Sequence, residues 1–162
     1  MSSREQLITW LNSAYAMEQA QIKVLENHAK DAAKIPEIRE RDDDHLVKTR
    51  GHADSVRECL RLLGETPSSM KSAMGNVMGM VQGASTGVFT DELLKNCLHD
   101  YASEHFEIAC YRSLIAAATE LGQPEIARLC GDILRDEEEM ALWLNESIPK
   151  VTRMTLHQLT HA

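Results

Sequence analysis

Four long stretches of this chain repeat apolar residues three and four positions apart, the spacing of a helix buried along one side. These periodic segments span residues 3–33, 36–63, 91–121 and 124–147, and a shorter segment spans residues 70–82. Ser3 suits the start of the first helix and Pro36 the first turn of the second. Gly64 suits the end of the second helix, and Pro149 predicts where the last one ends. The pattern therefore predicts an all-α chain.

The lengths of the links between these segments predict how the helices are arranged. Links of two to four residues join the first helix to the second and the third to the fourth, so each pair runs antiparallel. The middle link, about 25 residues from Gly64 to Val88, is long enough to run the length of a bundle. We therefore predict one domain over residues 1–162, a ferritin-like antiparallel four-helix bundle whose long crossover carries a short fifth helix.

Composition excludes several other classes of protein. Seven aromatic residues and eight glycines are too few for a typical sandwich or barrel. A net charge of −8 repels a phosphate backbone, so we expect no nucleic-acid partner. No run of about 18 apolar residues and no apolar leader occurs, so we expect a cytoplasmic protein with no membrane partner. The four cysteines stand singly, which predicts reduced thiols.

The inward stripes of the predicted helices carry polar residues at mid-length. Glu18 occupies a core position between Leu11 and Leu25, which lie seven residues before and after it. Helix two is apolar at both ends, but four consecutive inward positions are polar: Asp42, His45, Thr49 and His52. Helices three and four add further inward acids: Glu104, Glu107 and Glu137. Every long helix thus presents a carboxylate or an imidazole to the middle of the core.

Buried carboxylates cost several kcal/mol each unless they are paired or bound to a metal. A set of carboxylates and imidazoles from four helices suits divalent iron or manganese, as in iron-carboxylate bundles. The candidate metal ligands are Glu18, His45, Glu107 and Glu137, with His52 and Glu104 in reserve.

Each of these residues taken alone also has an ordinary structural interpretation. His45 and His52 could be packing histidines with satisfied hydrogen bonds, and the acids could be ion-paired with nearby basic residues. The alternative hypothesis is a metal-free structural or protein-interaction bundle whose buried acids are neutralised by Lys48 and Arg50. Sequence supports no nucleophile, phosphate loop or zinc signature, so enzymatic activity is left open.

Several stretches of the chain resemble the YciE/YciF family of bacterial ferritin-like bundles. The matching stretches are residues 13–19, His45-Leu46 with Thr49 and Gly51, residues 104–111, Leu121-Gly122 and residues 136–139. The run Glu-His-Phe-Glu-Ile-Ala-Cys-Tyr over residues 104–111 is the most specific. The resemblance implies a ferritin-like bundle, a homodimer, a link to stress response and a di-iron centre.

The chain departs from that family at the expected metal site. Family members tend to carry Glu-Glu-Thr-His where this chain has Val-Lys-Thr-Arg over residues 47–50. In helix four, Met140 and Ala141 stand where a second ligand would follow Glu137. One Glu-x-x-His pair is therefore missing, and Asp42-x-x-His45 is its nearest substitute. We expect a degenerate di-iron-type site that binds one ion, or none, in preference to two.

Overall fold

The protein is described by a computed structural model that covers residues 1–68 and 91–160. Its four helices are α1 (Ser3–Asp31), α2 (Pro36–Leu62), α3 (Glu92–Glu120) and α4 (Pro124–Thr160). A short 3₁₀ turn, Ala32–Lys34, joins α1 to α2, and these ranges contain no strand. The prediction of an all-α four-helix bundle is confirmed, whereas the helix predicted over residues 70–82 lies outside the described residues.

The start of α1 is set by a capping box one residue earlier than the sequence predicts. The Ser2 hydroxyl accepts a hydrogen bond from the Glu5 backbone N–H at 3.2 Å. The Glu5 carboxylate in turn accepts from the Ser2 backbone N–H at 2.6 Å. Two backbone donors that no helical carbonyl can reach are satisfied in this way, which is why Ser2 and not Ser3 caps the helix.

Glycines with positive φ end α2 and α3, as their positions in the sequence predict. Gly64 has φ of 73° and Gly122 has φ of 65°. This left-handed conformation lets the Glu65 backbone N–H donate to the Leu60 carbonyl at 2.9 Å, a bond that closes the helix end. Side chains with a Cβ are strained at such φ values, so glycine is favoured at both ends.

Helix α4 extends to Thr160 and carries Pro149 in its interior, so the predicted end at residue 147 is wrong. Proline removes one helical hydrogen bond, so the local sequence predicts a helix end there. Packing of the residues after Pro149 offsets this loss. Val151 is fully buried in an apolar cluster with Ala32 and Ile38, and Thr155 is 6% exposed. Tertiary burial thus extends the helix past the proline.

Truncating Val151 tests whether this packing holds the end of α4. We expect Val151→Ala to lower the free energy of unfolding by about 2 kcal/mol, because a fully buried side chain loses apolar contacts and leaves a cavity. The matched control is Val47→Ala, at a valine that is 66% exposed, where we expect a change below about 0.5 kcal/mol. Urea denaturation measures both, and equal effects would contradict the packing argument.

Long-range contacts show how the helices pair. α1 packs on α2 and α3 packs on α4, as the short links predict. His28 near the end of α1 contacts Asp100 near the start of α3, so these two helices run antiparallel. Glu37 at the start of α2 is ion-paired with Lys150 late in α4, so these two also run antiparallel.

Two apolar clusters fill the bundle on either side of a polar middle. The larger one includes Leu7, Leu11, Val56, Leu60, Leu114, Ile126 and Ile133. The smaller one contains Ala32, Ile38, Cys97, Met140, Leu144 and Val151. The polar residues between them are held in place by apolar packing on both sides, which limits their movement.

The state of the cysteines agrees with the expectation from the sequence. All four cysteines are free, three of them buried and Cys110 half-buried, as expected for reduced thiols. Within residues 1–68 and 91–160, no helix has both the length and the apolar character that a membrane span requires.

Candidate metal centre

All six candidate ligands are buried at the middle of the bundle, and we call them the central polar layer. They are Glu18 on α1, His45 and His52 on α2, Glu104 and Glu107 on α3, and Glu137 on α4. None is more than 4% exposed. His45 and His52 lie seven residues apart, about two helical turns, so they share one face of α2. The inward placement expected from the sequence is confirmed.

Three of these residues form what we call the first triad: Glu18, His52 and Glu137. His52 Nδ1 lies 2.9 Å from Glu137 Oε1 and 3.7 Å from Glu18 Oε2. One ligand atom from each residue lies within 4.8 Å of the other two. The Tyr111 hydroxyl donates to Glu18 Oε1 and so orients that carboxylate.

A second triad consists of His45, Glu104 and Glu137. His45 Nε2 lies 3.2 Å from Glu104 Oε1 and 3.4 Å from Glu137 Oε2. Its ligand atoms also lie within 4.8 Å of one another. Glu137 thus belongs to both triads, with one carboxylate oxygen facing each.

Glu107 lies in the same layer but outside both triads. It is 2% exposed, and its Oε2 atom has no hydrogen-bond partner. His52 and Glu104, which the sequence placed in reserve, have the closer geometry. Glu107, His52 and Glu104 all remain predicted ligands.

Hydrogen bonding in the central polar layer is incomplete. Nine buried side-chain atoms of the six residues make no well-directed hydrogen bond: Glu18 Oε2, His45 Nδ1 and Nε2, His52 Nδ1, both oxygens of Glu104, Glu107 Oε2 and both oxygens of Glu137. Six of these atoms face another atom of the layer at 2.9–3.7 Å. Each unpartnered buried polar atom costs about 1–3 kcal/mol. Two of the nine atoms, His52 Nδ1 and Glu137 Oε1, lie only 2.9 Å apart. They face one another without a well-directed hydrogen bond. The donor set fits a cation.

Burial and mutual repulsion divide the carboxyl groups by pKa. Burial, followed by the charge of Glu137, raises the pKa of Glu104 and Glu107 well above the usual range. Burial acts against ionisation of Glu137 too, but its contacts with His45, His52 and Glu104 outweigh it and lower the pKa of Glu137.

The pKa of His52 changes in the opposite direction to that of an ordinary buried imidazole. Burial favours the neutral ring, but contacts with Glu137 and then Glu18 outweigh it and raise the pKa of His52 to about 11. Without a metal, the layer therefore contains an imidazolium beside the Glu137 carboxylate.

Lys48 and Arg50 do not reach the central polar layer, so the alternative hypothesis named the wrong cations. Lys48 Nζ pairs with Asp136 at 3.2 Å and Glu139 at 3.0 Å. Arg50 pairs with Glu26 at 2.9 Å, and both of those side chains are exposed. Arg50 lies on a different face of α2 from His45 and His52. Lys48, three residues after His45 and four before His52, borders their face, and its side chain extends to Asp136 and Glu139 at the edge of the bundle. The positive charge beside the buried acids comes from His52.

Replacing Lys48 tests this correction. Had Lys48 neutralised a buried acid, Lys48→Met would cost about 3–5 kcal/mol. Its partners are surface carboxylates, and its side chain is 27% exposed, so we expect a loss below about 1 kcal/mol. Urea denaturation of the purified variant measures the difference, and a loss above 3 kcal/mol would restore the original assignment.

Two polar residues near the first triad were not predicted. Tyr111 is buried on α3, seven residues after Glu104, and its hydroxyl donates to Glu18. Asp136 belongs to an acidic run, and its Oδ2 lies 3.1 Å from His52 Nε2. It therefore orients the imidazole so that Nδ1 faces Glu137. The inward spacing of Tyr111 was the available signal, whereas Asp136 had none.

Asp42, the proposed substitute for the missing pair, lies elsewhere. It is buried at 4% exposure but belongs to neither triad. Burial and then the charge of Asp100 raise the pKa of Asp42 to about 7, and the charges of His28 and His45 oppose that rise.

Comparison with known protein families shows the family to which the chain belongs. A model described as "Domain of unknown function (DUF892)" matches residues 2–157. The chain belongs to this family. The structural resemblance of this DUF892 chain to YciF confirms the similarity to the YciE/YciF family expected from its motifs.

Solved structures with the same fold include one protein of substantial identity. A protein from Xanthomonas campestris pv. campestris is 34% identical, with 99% of each chain covered and a TM-score of 0.84. The stress protein YciF of E. coli is 16% identical over 94% of this chain and 98% of its own, with a TM-score of 0.80. A protein from Bacillus anthracis described as a ferritin-like diiron-carboxylate protein is 20% identical over 91% and 99%, with a TM-score of 0.74. The last two show the shared fold.

Proposed function

We propose that this DUF892 protein is a ferritin-like metal-binding protein that holds divalent iron or manganese in the central polar layer. The observation that carries the proposal is the convergence of buried ligand atoms from six residues on four helices; nine of these atoms make no well-directed hydrogen bond. Carboxylate oxygens and imidazole nitrogens are the donors that these two ions accept together. Glu137 faces both triads, so it is a ligand at either position in the layer.

The charge of the layer supports one ion per chain. Four carboxylates carry four negative charges when they are all ionised, and one divalent ion balances two of them. Burial raises the pKa of Glu18 as well as those of Glu104 and Glu107, which opposes full ionisation of the layer. Loss of a Glu-x-x-His pair from the motif points to the same stoichiometry. A bound iron or manganese ion would supply a redox-active Lewis acid shielded from solvent.

A metal-free role as a structural or interaction bundle is the second candidate, and one observation favours it. His52 lies within 3.7 Å of three carboxylates, those of Glu18, Asp136 and Glu137. As an imidazolium it neutralises part of the buried charge without a metal. In that case the layer would be a polar core that specifies how the helices pack.

Metal loading of the wild-type chain separates the two candidates. Protein stripped with a chelator is incubated with Mn²⁺, or with Fe²⁺ under anaerobic conditions, and desalted before elemental analysis. We expect about one ion per chain to be retained, because the ligands are buried and converge. Retention below about a tenth of an equivalent, with no binding heat in calorimetry, would favour the metal-free bundle.

The resemblance to YciF, described as a stress protein, supports an association of this chain with stress. The homodimeric assembly and the cytoplasmic location expected from the sequence are kept as further parts of the proposal. Multi-angle light scattering of the purified protein tests the dimer directly. A mass of one chain across the micromolar range would remove it.

A further inference from the structure

A second cluster of metal-binding side chains lies outside the central polar layer, and we call it the His28 cluster: His28, His99 and Asp100. His28 Nδ1 lies 2.9 Å from Asp100 Oδ1, and His99 Nδ1 lies 3.5 Å from the same oxygen. One ligand atom from each of the three lies within 4.8 Å of the others. His28 comes from α1, and the other two come from α3.

The His28 cluster lies about one helical turn from the central polar layer. Asp100 precedes Glu104 by four residues on α3, a rise of about 6 Å. Toward this end of the bundle the surroundings become apolar, with Cys97 and Met140 in the smaller core cluster. The two groups of ligands share no residue among the described part of the chain.

Structural pairing accounts for only part of the His28 cluster. The contact between His28 and Asp100 satisfies one imidazole nitrogen and one carboxylate oxygen. Asp100 Oδ1 and His99 Nδ1 are buried and make no well-directed hydrogen bond, although Oδ1 lies 2.9 Å from His28 Nδ1 and 3.5 Å from His99 Nδ1. An ion pair between His28 and Asp100 alone leaves these two atoms without a well-directed hydrogen bond.

We propose that His28, His99 and Asp100 bind a divalent transition ion of the zinc class at a site separate from the central polar layer. Two imidazoles and one carboxylate form a three-ligand set that leaves coordination positions open, a combination that suits Zn²⁺. Ligand atoms about 2 Å from a common ion are separated by some 3–4 Å, so the observed separations need little adjustment.

Accessibility also distinguishes the two sites. The His99 side chain is 15% exposed, whereas His28 and Asp100 are 4% and 3% exposed. His99 is therefore the ligand residue nearest to solvent, although its Nδ1 atom is buried. The central residues Glu18, Glu104 and Glu137 are fully buried. An ion should exchange more readily at the His28 cluster than at the central polar layer.

The test uses Zn²⁺, with Co²⁺ as a spectroscopic probe of imidazole and carboxylate ligands. The full-length Glu137→Gln variant is titrated first, because this substitution removes a ligand common to both central triads. We expect it to retain about one equivalent of Zn²⁺ and to give visible Co²⁺ bands. Adding His99→Gln should weaken binding at least tenfold and remove those bands. His99 is chosen because it is the most exposed ligand, so its replacement should preserve the fold, as circular dichroism verifies.

The matched control is His105→Gln, which replaces an exposed histidine on the same helix whose ring packs edge-to-face against Tyr101. We expect this change to leave zinc affinity unaltered. The proposal is overturned if His99→Gln binds zinc as tightly as its parent, or if Glu137→Gln binds none. A central layer that takes up no manganese while zinc still binds through His99 would remove the proposed function and leave this second site standing.

Discussion

Glu137→Gln should reduce manganese binding from about one ion per chain to less than a tenth of an ion. Glu137 presents one carboxylate oxygen to each triad, so a single substitution affects both. A neutral amide is a far weaker ligand for a hard divalent ion than a carboxylate. Even residues that only orient ligands change affinity by 10–100-fold, so we expect a loss of at least about 100-fold here.

Manganese is the appropriate probe for this prediction, because it favours carboxylate-rich sites and the His28 cluster has only one carboxylate. The control is Glu138→Gln, which replaces the neighbouring exposed glutamate that pairs with Arg112. It removes the same charge and should leave binding unchanged. Electron paramagnetic resonance of free Mn²⁺ measures both variants. Equal manganese affinity in the two would place the ion outside the central polar layer.

His52→Gln should destabilise the metal-free protein by about 3–5 kcal/mol near pH 6. His52 Nδ1 lies 2.9 Å from Glu137 Oε1, and its positive charge acts together with the contact from His45 to keep that buried carboxylate ionised. Glutamine keeps a polar side chain of similar length but supplies no charge. Glu137 must then remain ionised with only its contacts to His45 and Glu104, or take up a proton.

The stabilisation by His52 should depend on pH with a defined sign. Its pKa is about 11 in the folded protein against 6.5 as the ordinary value, so its contribution is complete below pH 6.5 and is lost as pH rises toward 11. The lowered pKa of Glu137 adds a contribution that is present above pH 4.5 and lost as pH falls through the folded value. The difference between wild type and His52→Gln should therefore be greatest between about pH 4.5 and 6.5 and should shrink by pH 10.

Urea denaturation with a chelator present measures this difference at several pH values. His105→Gln serves as the control, since an exposed histidine should change the unfolding free energy by less than about 0.5 kcal/mol. A His52 effect that stays constant from pH 5 to 10 would show that the loss comes from packing and not from charge.

Much of the fold was predictable because helical periodicity is a local property. Leu11, Glu18 and Leu25 lie seven residues apart and are all fully buried, as their spacing predicts. Gly64 and Gly122 end helices where a left-handed residue is needed, and that requirement acts through the backbone alone. The same periodicity correctly placed all six candidate ligands inside the bundle.

Predictions that depended on partners from other helices were less successful. The alternative hypothesis had Lys48 reaching the buried acids, but Lys48 pairs with Asp136 and Glu139 on α4. Pro149 was expected to end the last helix, but burial of Val151 against the end of α1 and the start of α2 extends it. In both cases the outcome depends on residues about 90 or more positions away along the chain.

The pattern of residues along the chain is sufficient to specify four helices, their pairing and a polar middle, because each of these follows from which side chains share a helix face. It does not specify which carboxylate faces which imidazole. That depends on the rotation and axial offset of one helix relative to its neighbour, and packing of the two apolar clusters sets both. Only the folded bundle therefore shows that Glu137 lies between His45 and His52, and that His28 meets His99 and Asp100 one turn away.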